Sequence, residues 1–282
     1  MREKILPRHF IKYKKEKRKI VMITAYDYIQ AMIADEAGVD GILVGDSLGM
    51  VIMGYKSTLP VTLNMIKHHL RAVLNASPKA LVVADMPFLT YEISREEAVR
   101  NAGKMIRLGA DAVKVEGGAE IVDKIEAMIR VGIPVMGHIG LNPQRFMIYG
   151  LRLRGSTAED AKKIIEDAKA LEEAGVFSIV IEFTAAEVAS EVSKILKIPT
   201  ICIGSGVECD GQILVFHDLV GLTPSPPPFA RRYANAREIF LDAIKRYVSD
   251  VRESKFPSEK ETFRISPEEY LKFKKAMSGE TL

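Results

Sequence analysis

The sequence predicts an α/β protein, a (β/α)8 TIM barrel with an N-terminal basic helix and a C-terminal helical tail. Three observations carry this expectation. Short β-branched runs alternate with longer amphipathic stretches along most of the chain. The short runs are nearly continuous in apolar residues, as strands buried on both faces of a parallel sheet must be. Eight such units in roughly 240 residues suit a closed barrel better than an open, doubly wound sheet.

In order, the strands are expected at Ile20–Asp27, Gly41–Asp46, Ala80–Met86, Ala112–Glu116, Pro134–His138, Ser178–Phe183, Pro199–Gly204 and Ile213–His217. The intervening helices are expected at Ile29–Ala37, Leu63–Leu74, Arg95–Leu108, Ala119–Arg130, Ala158–Ala174 and Ala185–Leu196, with Ala236–Arg252 after the last strand. Gly109 and Gly175 follow two of these helices, where a left-handed C-cap is needed. Pro7–Lys19 reads as a basic helix, a solvated cap on the barrel bottom. Residues 1–257 form the expected catalytic barrel. Residues 258–282 form a tail whose Ser266-Pro267-Glu268-Glu269 starts a helix for packing or subunit contact. Thr223–Phe229, rich in Pro, reads as a stiff loop.

Composition narrows the function. The 282 residues carry a net charge of +3 without clustering of Lys and Arg, which argues against a nucleic-acid binder. Two cysteines, Cys202 and Cys209, are too few for a disulfide framework and have no zinc-ligand spacing. No apolar run is long enough for a bilayer, and the charged start has no signal-peptide core, so a cytoplasmic protein without membrane partners is expected. Three Gln and five Asn among abundant Lys and Glu point to heat adaptation.

A TIM barrel carries its active site at the carboxyl ends of its strands. Those ends read Asp27, Asp46, Asp85, Glu116, His138, Glu182 and Gly204, with His217-Asp218 last. Each carboxylate taken alone has an ordinary alternative, capping of the next helix. Their recurrence at successive strand ends favours chemistry. Carboxylates crowded together need a compensating cation, and oxygen ligands without thiolates point to Mg²⁺ rather than zinc. Lys114 and Glu116 share one strand face. Glu182, across the mouth from Asp46 and Asp85, is the candidate general base, with an apolar wall to raise its pKa. His138 lies between glycines and is either a satisfied core residue or a functional one. His68-His69 reads as surface, and Gly204-Ser205-Gly206 as a tight turn rather than a phosphate site.

At these residues the sequence resembles the ketopantoate hydroxymethyltransferases (3-methyl-2-oxobutanoate hydroxymethyltransferases). Seven stretches carry the resemblance in order: Ile23–Asp27, Val44–Met50, Ser57–Thr62, Ala84–Phe88, Val113–Gly118, Gly137–Leu141, and Ile203–Gly206 running on to Cys209–Val215. They span Tyr13 to Pro257, and the tail beyond exceeds the family pattern. The resemblance implies a homo-oligomer, commonly a decamer of two pentameric rings. It also implies transfer of a hydroxymethyl group from 5,10-methylenetetrahydrofolate to 3-methyl-2-oxobutanoate, giving 2-dehydropantoate for pantothenate and coenzyme A biosynthesis. Carried onto this sequence, Asp46, Asp85 and Glu116 would ligate Mg²⁺. Asp46, Ser47, Asp85 and Lys114 would hold the oxo acid, with His138 nearby, and Glu182 would accept the C3 proton of a Mg-stabilised enolate.

Rival readings have discriminators. Gly45-Asp46-Ser47-Leu48 matches the GDSL esterase signature, but no Asp-x-x-His follows near the carboxyl end. A Schiff-base aldolase would use Lys114 as a neutral amine. A phosphoenolpyruvate-type lyase would share the barrel and the oxo-acid chemistry. A non-catalytic scaffold would be expected to lose one of Asp46, Asp85, Glu116 or Glu182.

Overall fold

The computed structural model describes residues 3–278. Eight parallel strands close into a barrel in chain order: β1 (Ile20–Thr24), β2 (Gly41–Val44), β3 (Leu81–Asp85), β4 (Ala112–Glu116), β5 (Val135–Gly140), β6 (Ser178–Glu182), β7 (Thr200–Ile203) and β8 (Gly211–Leu214). Six long helices follow the strands: α2 (Tyr28–Glu36), α4 (Leu63–Asn75), α5 (Arg95–Leu108), α6 (Val122–Arg130), α8 (Ala158–Glu173) and α9 (Ala186–Ile195). The predicted (β/α)8 barrel is the observed fold. Three four-residue helices had no periodic signal to betray them: α3 (Leu48–Val51), α7 (Phe146–Tyr149) and α10 (Phe216–Leu219).

Most strand ends fall within two residues of expectation, β2 stopping at Val44 and so leaving Asp46 in the turn after it, and two fall three residues short. β1 stops at Thr24, so Asp27 does not end a strand. It caps α2, its carboxylate accepting from Gln30 N at 2.8 Å. The ordinary capping role wins there. β8 begins two residues earlier than expected and ends at Leu214, which leaves His217 and Asp218 in α10. Its first residue is a glycine because the backbone of Ile20 lies where a Cβ would go. A glycine demanded by close approach reads locally as a loop signal.

Period-two alternation decides what faces inward. Ile20, Met22, Leu43, Leu81, Val83, Ala112, Met136, Val180, Ile201 and Ile213 form one buried cluster. A second, larger cluster includes Ile42, Val44, Val82, Ala84, Val113 and Val115 and packs under the helices. Continuing the inward face upward by two residues replaces hydrocarbon with ionisable groups. Val83 leads to Asp85, Ala112 to Lys114 and Glu116, Met136 to His138, and Val180 to Glu182. The parallel register sets Asp85 opposite Lys114 and Glu116 opposite His138.

The N-terminal helix α1 (Pro7–Lys15) is more than a solvated cap. Phe10 is fully buried in the inward cluster, edge-on to Phe177 at 6.0 Å between ring centroids. Its basic face is also used: Lys14 pairs with Asp210 at 2.8 Å. The cysteines differ from expectation as well. Cys202 on β7 and Cys209 are joined in a disulfide with Cα atoms 5.9 Å apart, because the turn through Gly204 and Gly206 folds the chain back on itself.

The chain divides into two compact units, Met1–Ala234 and Asn235–Leu282. The second contains α11 (Ala236–Arg252) and α12 (Pro267–Ser278), matching the predicted helices, and neither has a buried residue. Phe240, Ile244, Tyr247 and Val251 are all exposed at helical spacing along α11. Among the described residues, no helix is long and apolar enough to cross a membrane.

Candidate active site

The inward charged groups of β3 to β6 meet at one end of the barrel. Asp46 joins them from the turn after β2. Asp46, Asp85, Lys114, Glu116 and His138 are all buried, and the Glu182 side chain keeps 18% of its exposure. Lys114 Nζ lies 3.0 Å from Asp85 Oδ1, 3.5 Å from Glu116 Oε1 and 3.1 Å from His138 Nδ1. His138 reaches both ways: Nδ1 is 3.3 Å from Glu116 Oε1 and Nε2 is 3.2 Å from Glu182 Oε2. The Asp46 backbone N–H donates to Asp85 Oδ2 at 3.1 Å. The Ser47 hydroxyl pairs with Tyr26 OH at 2.8 Å. Six of the seven predicted site residues therefore belong to one network, and Ser47 adjoins it as the chain neighbour of Asp46.

Its electrostatics are lopsided. Burial raises the Asp46 carboxyl well above its usual range, and the charges of Asp85 and Glu116 raise it further. Asp85 is also raised, by burial first and by Glu116, with Lys114 opposing. Glu116 goes the other way. Burial would raise it, but Lys114 and His138 outweigh burial and hold it at about 2. Burial would discharge Lys114, yet the charges of Asp85, Glu116 and Asp46 keep its ammonium protonated above the ordinary lysine range. Burial and Lys114 likewise oppose a charged His138. Glu116 and Glu182 prevail and push it up to about 9.

Acid thus outnumbers base among these buried groups. Asp85 Oδ1 faces Lys114 as an ion pair but accepts no well-directed hydrogen bond. The donors are all hard oxygens, the set a Mg²⁺-like cation takes while keeping several waters. Among the described residues, no three acidic, His or Cys side chains already stand in a geometry that closes on one ion. The Lys114 ammonium stands between Asp85 and Glu116. Burial, charge deficit and oxygen donors fit a divalent cation held partly through water.

Several surroundings differ from expectation. The wall beside Glu182 is the His138 imidazole rather than hydrocarbon. His69 is not purely surface, since Nδ1 lies 2.7 Å from Tyr26 O. His217 packs on the Tyr26 ring at 5.6 Å, and burial lowers its pKa. Ser205 ties β6 to β7, donating to Ile181 O at 2.9 Å and accepting from Thr184 N at 3.0 Å, as a tight structural turn would.

Two contributors were missed. Gln144, after β5, is buried and donates from Nε2 to Asp46 Oδ2 at 2.8 Å. Tyr91 is buried, and its OH donates to Glu116 O at 2.8 Å. Gln144 could have been noticed as one of three glutamines, placed directly after the Gly137–Leu141 stretch. Tyr91 gave no local signal.

Comparison with known proteins identifies the family. Residues 4–259 match the ketopantoate hydroxymethyltransferase family profile. A 3-methyl-2-oxobutanoate hydroxymethyltransferase of Staphylothermus marinus is 59% identical over 93% of this chain and 96% of its own length. One from Caldivirga maquilingensis is 60% identical over 91% of this chain and 97% of its own. The corresponding protein of Hyperthermus butylicus, 54% identical, aligns over 98% of this chain and 96% of its own, so the tail has a counterpart there. Among solved structures, phosphonopyruvate hydrolase in complex with oxalate and Mg²⁺ shares the fold at a TM-score of 0.60, 14% identity, and coverage of 96% of this chain and 95% of its own. A 2,3-dimethylmalate lyase shares it at a TM-score of 0.57, 18% identity and 96% coverage of both chains. Those two likenesses establish the fold alone. With a profile match across nearly the whole barrel, relatives more than half identical along almost their full length, and the motif residues converging on one buried cluster, the chain belongs to the ketopantoate hydroxymethyltransferase family.

Proposed function

We propose that the protein transfers a hydroxymethyl group from 5,10-methylenetetrahydrofolate to 3-methyl-2-oxobutanoate. The product is 2-dehydropantoate, on the route to pantothenate and coenzyme A. The names of the close relatives support the reaction. The observation that carries the mechanism is the buried group of Asp46, Asp85 and Glu116 around Lys114, with Glu182 facing it across His138.

Asp46, Asp85 and Glu116 would hold Mg²⁺, which when bound supplies Lewis-acid stabilisation of charge developing on the keto oxygen. Lys114 offers its ammonium to the substrate carboxylate or to enolate charge. Ser47, fixed by Tyr26, offers a hydroxyl. Glu182 is the one carboxylate of the group with open access, and it takes the C3 proton. His138 Nε2, 3.2 Å away, orients that carboxylate and stabilises its charge. The enolate carbon then bonds to the donor's methylene carbon as one of that carbon's two C–N bonds breaks. Water, a co-substrate, displaces the second nitrogen and supplies the hydroxyl, and the two freed folate nitrogens take up one proton from water and the one held by Glu182. Loops leaving β2, β3 and β5 expose Met50, Met53, Phe88, Leu89, Met147 and Ile148, an apolar rim suited to the flat rings of a folate. The exposed apolar stripe of α11 supports a homo-oligomer, with a decamer as the expected state.

The Schiff-base alternative loses support from the same geometry. A lysine held as ammonium by flanking carboxylates is a poor amine nucleophile. The esterase alternative loses support because the Ser47 hydroxyl pairs with Tyr26 rather than with a histidine.

The test is turnover of 3-methyl-2-oxobutanoate with the methylene donor after exhaustive chelation, before and after Mg²⁺ is restored, with sedimentation for assembly. Loss and recovery of product formation support the proposal. Full turnover in the chelated sample removes the cation from it, and no turnover with either addition removes the reaction.

A further inference from the structure

One side chain bonds to the cluster without belonging to its charged set. Gln144 lies in the 3-10 turn Pro143–Arg145, which follows β5, and is buried. Nε2 donates to Asp46 Oδ2 at 2.8 Å and to the Met86 carbonyl at 3.0 Å. Its backbone N–H donates to Glu116 Oε2 at 3.1 Å. Oε1 lies 3.1 Å from Tyr91 OH. One residue thus touches the ends of β2, β3 and β4.

Chemistry fixes the orientation of this amide. Asp46 Oδ2 and Met86 O are both acceptors, so the atom between them must carry two N–H groups. A flipped amide would aim its oxygen at two other oxygens. A glutamate would do the same with added charge. The position therefore needs a neutral double donor, and a buried amide bond that is half made costs more than none. Two oxygens are consequently spoken for, Asp46 Oδ2 and Glu116 Oε2, and Asp46 is left with Oδ1.

We propose that Gln144 is a positioning residue that presets Asp46 and Glu116 as ligands for a divalent cation. The inference rests on the cation reading above and adds to it the group that orients the ligands. Such outer-shell partners are worth about 10- to 100-fold in metal affinity.

The test uses Mn²⁺ as a spectroscopic stand-in for Mg²⁺, titrated into the full chain and followed by electron paramagnetic resonance of the free ion. Gln144→Met keeps the length of the side chain and removes both amide functions. Its Mn²⁺ dissociation constant is expected to rise about 10- to 100-fold, with circular dichroism unchanged. Ser193→Ala is the control. It removes a buried hydroxyl that bonds to Ala189 O and Thr200 Oγ1 and to nothing in the cluster, and it should leave Mn²⁺ affinity within about threefold. Should Gln144→Met fail to fold, Gln144→Asn is read against the same outcomes. Unchanged affinity in the Gln144 variant overturns the inference and leaves the cation reading standing. Equal weakening by both substitutions also overturns it, since Gln144 would then be merely structural. Failure of the unaltered protein to bind Mn²⁺ overturns the cation reading and this inference together.

Discussion

The imidazole of His138 offers the most direct test of the electrostatics of the cluster. In the folded chain its pKa is about 9, because Glu116 and Glu182 flank its two nitrogens and outweigh burial and Lys114. Unfolded, a histidine titrates near 6.5, and the difference is worth on the order of 3 kcal/mol. The folded value is the higher one, so this stabilisation is fully present below pH ~6.5 and disappears as pH rises through about 9. His138→Gln carries no charge at any pH and cannot show that loss. Chemical denaturation in excess chelator, run on both proteins from about pH 6 to about pH 10, isolates the histidine. Asp46 and Asp85, whose carboxyls are also raised, favour the low-pH side as well and are common to both. The stability difference between the two proteins should shrink by on the order of 3 kcal/mol across that range. Parallel curves would refute the placement of His138 between two charged carboxylates.

Three further outcomes are expected. Glu182→Gln should slow deuterium exchange at C3 of the oxo acid by about 10²- to 10⁴-fold while leaving oxo-acid binding nearly intact; retained exchange would remove Glu182 from the base role. Phe10→Ala should cost about 3–5 kcal/mol, because it empties a fully buried site at the foot of the barrel; a loss below about 1 kcal/mol in denaturant unfolding would mean α1 does not plug it. Thiol titration of the denatured, unreduced chain should find no free cysteine among Cys202 and Cys209. Replacing both by serine should then lower stability by about 2–3 kcal/mol, the value for so short a closed loop.

The barrel was legible because its evidence is local and repeated. A buried parallel strand announces itself by an unbroken apolar run, and eight of them average out errors at single ends. β4 was placed to the residue for this reason. The ends that slipped furthest, at Asp27 and His217, are those where a polar residue can finish a strand or cap a helix with the same local sequence. The site was legible at Asp85, Glu116, His138 and Glu182 because charge at the end of a buried run has few structural excuses. Gln144 and Tyr91 were invisible for the opposite reason. Each acts across more than 20 residues of sequence, on Asp46 and Glu116, through contacts that exist only once the barrel has closed. The Cys202–Cys209 bond likewise depends on the path of one turn.

Stability alone does not account for such a cluster. A buried ion pair seldom repays its desolvation, and apolar residues of like volume would hold the barrel as well or better. The lower half of the same barrel is filled that way. The upper half instead spends its inward positions on three fully buried carboxylates and on Glu182, against one lysine and one histidine. With Glu116 kept ionised by Lys114 and His138, the shortfall of positive charge falls on Asp46, whose carboxyl is raised well above its usual range by burial and by its charged neighbours. The divalent cation proposed above would supply the charge the pocket lacks. With that proposed cation, and with the less buried Glu182 beside it as the proposed base, the cluster's cost to folding is explained by chemistry at the mouth of the barrel.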